Sequence, residues 1–135
     1  MCVFFLFLFQ KNSFVAFLST VYSSHQITSD VSLAETCHAA ELFLSDGLII
    51  TGSSTGQSAS LSDVTSARTT TPQLPVILGS GVTPENLKDF SRHAQALIVG
   101  SYFKKDGFWK NELCRDRIDS LVSVLKEFRL QHQKP

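Results

Sequence analysis

Residues 75–86 read PVILGSGVTPEN and contain a strand, a turn and a helix start in succession. The apolar run 75–78 is continuous rather than alternating, which is typical of a strand covered on both faces in a parallel sheet. Gly79–Gly81 predicts a tight turn. Thr83 is a good helix N-cap, and Pro84 suits the first helical position because its missing N–H would be unpaired there anyway. The stretch therefore indicates one βα unit.

The same unit recurs on both sides of this stretch. Ser32 and Glu35 form a capping-box pattern that predicts a helix start. The apolar stripe of that helix is expected at Leu33, Cys37, Ala40 and Leu44. Further along come an apolar strand at 48–50, a helix at 60–70, a strand at 96–99 and a long amphipathic helix at 118–128. This alternation predicts right-handed β-α-β units in a parallel sheet, either doubly wound or a segment of a barrel.

The composition excludes several classes of protein. The 135 residues include 12 basic and 12 acidic side chains with no long run of either sign, so a nucleic-acid partner is not expected. The cysteines Cys2, Cys37 and Cys114 lie far apart without a CxxC pattern, which argues against a disulfide framework and against a metal site. Cys37, on the apolar side of its helix, is expected to be buried.

Residues 1–22 form an apolar N-terminal segment that differs from residues 23–135. The run MCVFFLFLF is too short to span a bilayer, so membrane insertion is not expected. No charge precedes the run, and Val21-Tyr22-Ser23 is a poor cleavage site, so a secretory signal is only weakly indicated. The other interpretation is that residues 1–22 are a non-native N-terminus, which arises from alternative splicing or from an error in the gene model.

Small-residue turns follow each of the predicted strands, and they are the candidate binding site. Ligands of parallel α/β folds bind at the carboxyl ends of strands, where glycine lets backbone N–H groups approach an anion. The predicted ligand-binding residues are Thr51, Gly52, Ser53, Gly79, Ser80, Gly81, Gly100 and Ser101, with His25 and Lys104 as secondary candidates. The alternative is that glycine simply allows tight turns. A β-branched residue at Gly81 is predicted to abolish binding by crowding the anion.

Three strings resemble the BtpA family: DGLIITGSSTG at 46–56, PVILGSGVT at 75–83 and LIVGS at 97–101. The resemblance implies a (β/α)8 TIM barrel of the ribulose-phosphate-binding type, of which residues 23–135 would carry about three to four C-terminal βα units. It implies a phosphorylated small molecule as ligand, at turns that include 79–81 and 100–101. Some bacterial members are linked to photosystem I biogenesis and animal members to mitochondria, so a mitochondrial or cytoplasmic location is expected. The resemblance assigns neither a reaction nor a cofactor.

Family members carry further βα units before this region, and residues 1–22 do not resemble them. We therefore interpret the chain as a fragment or isoform with a residual anion site, in which catalysis by the isolated chain is not expected. An incomplete barrel has open sheet edges, which favour self-association. The alternative interpretation is a small phosphate-binding module that completes its barrel by homodimerisation.

Overall fold

The computed structural model describes residues 17–20 and 31–132. Strands and helices alternate along the chain, and two short 3-10 turns follow the last strand. The elements are β1 (Phe17–Thr20), α1 (Leu33–Leu42), β2 (Gly47–Ile50), α2 (Leu61–Thr70), β3 (Val76–Leu78), α3 (Leu87–Ser91), β4 (Ala96–Leu97) and α4 (Arg115–His132). The 3-10 turns are Ser101–Phe103 and Lys105–Gly107.

All four strands are parallel, in the order β1-β2-β3-β4. A doubly wound sheet reverses its direction of growth at a switch point, whereas here each new strand is added at the same edge. This order confirms the α/β class and distinguishes a segment of a βα barrel from the doubly wound alternative. Strand β1 lies inside the apolar segment 1–22 and joins the sheet as a strand that the sequence pattern did not single out.

The sheet packs one face against the helices. The fully buried residues of that face are Leu48, Ile50, Val76 and Leu78. Cys37 and Ala40 of α1 and Val64 of α2 pack against them. The predicted burial of Cys37 is confirmed, and burial raises the pKa of its thiol. Side chains alternate along a strand, so Ile49 and Ile77 lie on the opposite face, which is the interior of a closed barrel.

The helix starts follow the sequence in two cases and differ in the third. At α1 the backbone N–H of Glu35 donates to Ser32 Oγ (3.2 Å) and that of Ser32 donates to Glu35 Oε2 (2.9 Å), which completes the predicted capping box. At α2, Ser60 is the N-cap, and its Oγ accepts from the backbone N–H of Asp63 (3.4 Å). Thr83 is not the N-cap of α3, which begins at Leu87. The residues before it form a turn, in which the N–H of Thr83 donates to Asn86 Oδ1 (2.8 Å).

The end of α1 also corrects the sequence analysis, because Leu44 does not belong to the apolar stripe. It is 87% exposed and has a left-handed backbone with φ of 57°. The N–H of Leu44 donates to Glu41 O (3.1 Å) and that of Ser45 to Ala40 O (3.0 Å), the two bonds of a Schellman motif. Leu44 therefore occupies the position that glycine usually takes at a helix end.

Replacing Leu44 with glycine is expected to raise the free energy of unfolding by about 1 kcal/mol, because the left-handed conformation costs an L-residue about 1–2 kcal/mol. Urea denaturation followed by circular dichroism measures the change. The matched control is Leu130→Gly at an exposed position of α4, where the same change should lower the free energy of unfolding by about 1 kcal/mol. Destabilisation by both variants would contradict the explanation.

Candidate anion site

The turns after β2, β3 and β4 lie on the same side of the sheet, at the carboxyl ends of the strands, because the strands are parallel. We call this region the carboxyl rim, and it consists of residues 51–58, 79–86 and 100–107. Hydroxyl, amide and backbone N–H groups are frequent there, and the rim contains most of the binding residues predicted from the sequence. These residues differ in the free space around them, and this space decides whether each one packs against the protein or could border a ligand.

The loop after β2 and the turn after β3 are bonded to each other. Ser58 Oγ donates to Gly81 O (3.0 Å), and Ser80 Oγ donates to Gln57 O (2.8 Å). At the base of the turn, the N–H of Gly79 donates to Ile50 O (2.7 Å). The predicted binding residue Ser80 therefore uses its hydroxyl proton to join the two loops.

Asn86 is a residue of the rim that the sequence analysis missed. Its Nδ2 donates to Gly81 O (2.9 Å) and to Ser58 Oγ (3.1 Å), and its Oδ1 accepts from the N–H of Thr83 (2.8 Å). One side chain thus connects both loops with the residues before α3. An asparagine between a glycine turn and a short helix was the available signal, but its partner Ser58 is distant in sequence.

Three of the glycines are required by the packing of the protein itself. A Cβ on Gly81 would lie 2.2 Å from the backbone nitrogen of Ser58, and one on Gly52 would lie 2.4 Å from Gln57 O. A Cβ on Gly79 would lie 2.3 Å from Thr51 Cγ2. A side chain at Gly81 would therefore collide with Ser58 before it reached a ligand, which changes the physical reason given in the sequence analysis for a β-branched substitution there.

Gly100 differs from these glycines because, among the described residues other than its two chain neighbours, no atom lies within 4 Å of the position that its Cβ would take. The next residue, Ser101, begins a 3-10 turn, and its hydroxyl is 3.3 Å from the corresponding Cβ position at Gly56. The Gly100–Ser101 turn thus combines open space with nearby polar groups.

The secondary candidates are placed differently. Lys104 follows the Ser101–Phe103 turn, is half-buried, and pairs through its backbone with Leu113 in an antiparallel bridge. His25 lies outside the described residues. Phe108 and Trp109, farther along the same loop, are about half exposed, with their ring centroids 6.1 Å apart.

Arg117 lies in α4, outside the rim, but contacts Tyr102 of the rim, and the sequence analysis missed it as well. It lies in the first turn of α4, its Nε donates to Tyr102 O (2.6 Å), and its guanidinium carbon is 4.3 Å from the centre of the Tyr102 ring. Glu85 lies at the rim. The pKa of its carboxyl is lowered by a hydrogen bond from the Thr83 side chain, by its own backbone N–H and, to a smaller extent, by the charge of Arg117.

The donors of the rim suit an anion better than a metal ion. Backbone N–H groups, hydroxyls and a guanidinium donate hydrogen bonds, which an anion accepts, whereas transition-metal ions prefer imidazole and thiolate ligands. The described residues contain no group of three or more His, Cys, Asp or Glu side chains that could hold a metal. In the same part of the chain, no helix is both long enough and apolar enough to cross a membrane.

Parallel strands added in chain order, with a helix after each, define the chain as part of a βα barrel. It belongs to the BtpA family, whose model matches residues 9–127. This match begins inside the segment 1–22 and includes strand β1.

Relatives come from animals, archaea and bacteria. An uncharacterized mitochondrial protein of Caenorhabditis elegans is 41% identical over 101 residues, which cover 75% of this chain and 36% of the relative. An uncharacterized protein of Pyrococcus abyssi is 33% identical over 108 residues, 80% of this chain and 40% of its own length. The photosystem I biogenesis protein BtpA of Synechocystis is 29% identical over 121 residues, 87% of this chain and 42% of the relative. The chain thus aligns with well under half the length of each of these proteins.

Proposed function

We propose that the protein binds a phosphorylated small molecule at the carboxyl rim, with the phosphate against Gly100–Ser101 and the β3 turn Gly79–Gly81. The observation that carries the proposal is the open space at Gly100. The other two parts of the rim, the loop after β2 and the β3 turn, are already joined by hydrogen bonds. A preformed site loses little conformational freedom on binding, which favours affinity. Thr51, Gly52 and Ser53 complete the proposed site on the side of β2.

We propose further that this is the residual site of a longer barrel, and that the chain alone does not catalyse a reaction. The alignment covers 36–42% of the relatives described above, and the proposal concerns that part of the barrel alone. The name of the nematode relative favours a mitochondrial location, with the cytoplasm as the alternative. A secretory signal in residues 1–22 stays a prediction.

Titration with ribose 5-phosphate, followed by the amide resonances of the isotope-labelled protein, tests the proposed site. Millimolar ligand is expected to shift the amides of Gly79, Ser80, Gly81, Gly100 and Ser101, because a bound phosphate changes their hydrogen bonding. Ribose without phosphate is the control and should leave them unchanged. Unshifted amides at all five positions would refute the site, and equal shifts with ribose would refute phosphate recognition.

The Gly100→Ala variant is expected to weaken the binding of ribose 5-phosphate about tenfold, because the added methyl occupies the open space at the turn. The folded state should be preserved, since in the part of the chain that the structure describes the methyl meets no atom within 4 Å beyond its chain neighbours. Ser66→Ala, on the exposed side of α2 away from the rim, is the control and should bind as the original protein does. Unchanged affinity in Gly100→Ala would place the ligand elsewhere.

A second candidate function is a homodimeric binding module. It is favoured by the four parallel strands, half of those in a (β/α)8 barrel, and by the edge positions of β1 and β4 within the described sheet. Pairing of β1 of one copy with β4 of the other would close the sheet. Sedimentation equilibrium should then show a discrete dimer that melts cooperatively, whereas a monomer or a broad distribution of aggregates would exclude this function.

A further inference from the structure

The guanidinium of Arg117 is held against the 3-10 turn that follows Gly100. Its Nε bonds the carbonyl of Tyr102, the residue directly after Ser101, at 2.6 Å. Consecutive Cα atoms are about 3.8 Å apart, so the guanidinium is anchored within two residues of Gly100. A Cβ at Gly107 would lie only 3.3 Å from Arg117 Nη2, so the glycine there allows this end of the side chain to approach the loop closely.

The guanidinium has hydrogen-bonding capacity to spare. Among the hydrogen bonds between described residues, Arg117 contributes only the one from Nε, so neither terminal NH2 group has an acceptor in that part of the chain. The ion pairs found there join Lys105 to Glu112 and Arg115 to Asp119 and do not include Arg117, whose charge acts on Glu85 only as the smallest of the causes that lower the pKa of that carboxyl. The guanidinium is half-buried and is held by a carbonyl and an aromatic ring. Its two terminal NH2 groups therefore suit bidentate contact with a phosphate.

We propose that Arg117 is the cationic ligand-binding residue of the carboxyl rim and that both of its terminal NH2 groups donate to a phosphate monoester at Gly100–Ser101. The inference rests on the proposed function and specifies the ligand further. A phosphate dianion offers several oxygens to a planar pair of donors, so the site should prefer phosphate monoesters to singly charged anions. The contact with the Tyr102 ring and the bond to its carbonyl restrict the guanidinium before the ligand arrives.

Arg117→Gln and Arg115→Gln form a matched pair for the test. Both residues lie in the first turn of α4 and both variants lose one positive charge, but the Arg115 side chain is 91% exposed and pairs with Asp119. In the full chain, titrated with ribose 5-phosphate, Arg117→Gln should weaken binding at least about tenfold. Arg115→Gln should change it less than about twofold. Arg117→Lys should recover part of the affinity, since it keeps the charge and loses the planar donors.

Two further measurements separate ligand binding from a purely structural role. The affinity of the original protein should fall with added salt, and this dependence should be weaker in Arg117→Gln than in Arg115→Gln, because one fewer charge meets the ligand. Equal affinity and equal salt dependence in the two variants would overturn the inference while the proposed function stands. Absence of binding by the original protein would overturn both. If Arg117→Gln does not fold, the inference is decided by Arg117→Lys, whose unchanged affinity would contradict bidentate contact.

Discussion

A single methyl group added at Gly81 is expected to lower the free energy of unfolding by about 2–5 kcal/mol, from a left-handed conformation that costs about 1–2 kcal/mol and overpacking that costs about 1–3 kcal/mol. Gly81 has φ of 69°, and the new Cβ would lie 2.2 Å from Ser58 N and 2.3 Å from Ser58 Cα. These are backbone atoms, so a change of side-chain rotamer cannot relieve the contact. Urea denaturation of Gly81→Ala measures the loss.

Gly100→Ala is the matched control for Gly81→Ala, because the same methyl is added on the same rim in open space. Its free energy of unfolding should change by less than about 0.5 kcal/mol. Similar stability in the two variants would show that the loop after β2 does not lie against the β3 turn. Loss of stability at Gly81 also means that loss of ligand binding there does not by itself locate the ligand, which is why Gly100 is the better position for a binding test.

Asn86→Ala is expected to lower the free energy of unfolding by about 2–4 kcal/mol. The change removes three hydrogen bonds, and a half-buried donor or acceptor left without a partner costs about 1–3 kcal/mol. The amide resonances of Gly81 and Thr83 should move in the same variant, since both residues bond to the side chain. Denaturation and amide spectra provide the two measurements.

The control for Asn86→Ala is Asn111→Ala. The Nδ2 of Asn111 makes one hydrogen bond, to Lys105 O at 2.9 Å, in the loop before α4. Its loss should cost about 0.5–1.5 kcal/mol. An equal loss in the two variants would mean that the bonds of Asn86 contribute no more than an ordinary loop contact, and would contradict its assigned role in joining the loops.

Local signals in the sequence predicted much of the fold. The Ser32 and Glu35 pair predicted the start of α1, and the continuous apolar runs predicted β2 and β3 because a strand buried on both faces has no polar side. The end of α1 could not be predicted in this way. A left-handed position is usually filled by glycine, and Leu44 instead continues the apolar spacing of the helix.

The candidate site was less predictable than the fold because its contacts join residues that are distant in sequence. Ser58 and Gly81 are bonded across 23 positions, and Ser58 and Asn86 across 28. The sequence indicated which turns share the rim, but it did not distinguish Gly81, packed against backbone, from Gly100, which faces open space. Arg117 was missed because its partner Tyr102 lies in an irregular loop.

The hydrogen bonds between the loops after β2 and β3 have a consequence for the divergence of related proteins. Gly81 and Asn86 each contact more than one part of the chain, and Gly79 packs closely against residues 49–51, so substitutions there alter several contacts at once. Gly100 has fewer such constraints, because the described residues beyond its chain neighbours leave open space where a side chain would begin. Selection for a new ligand, in nature or in a mutant library, should therefore accumulate changes at Gly100 while the neighbouring β3 turn keeps its residues.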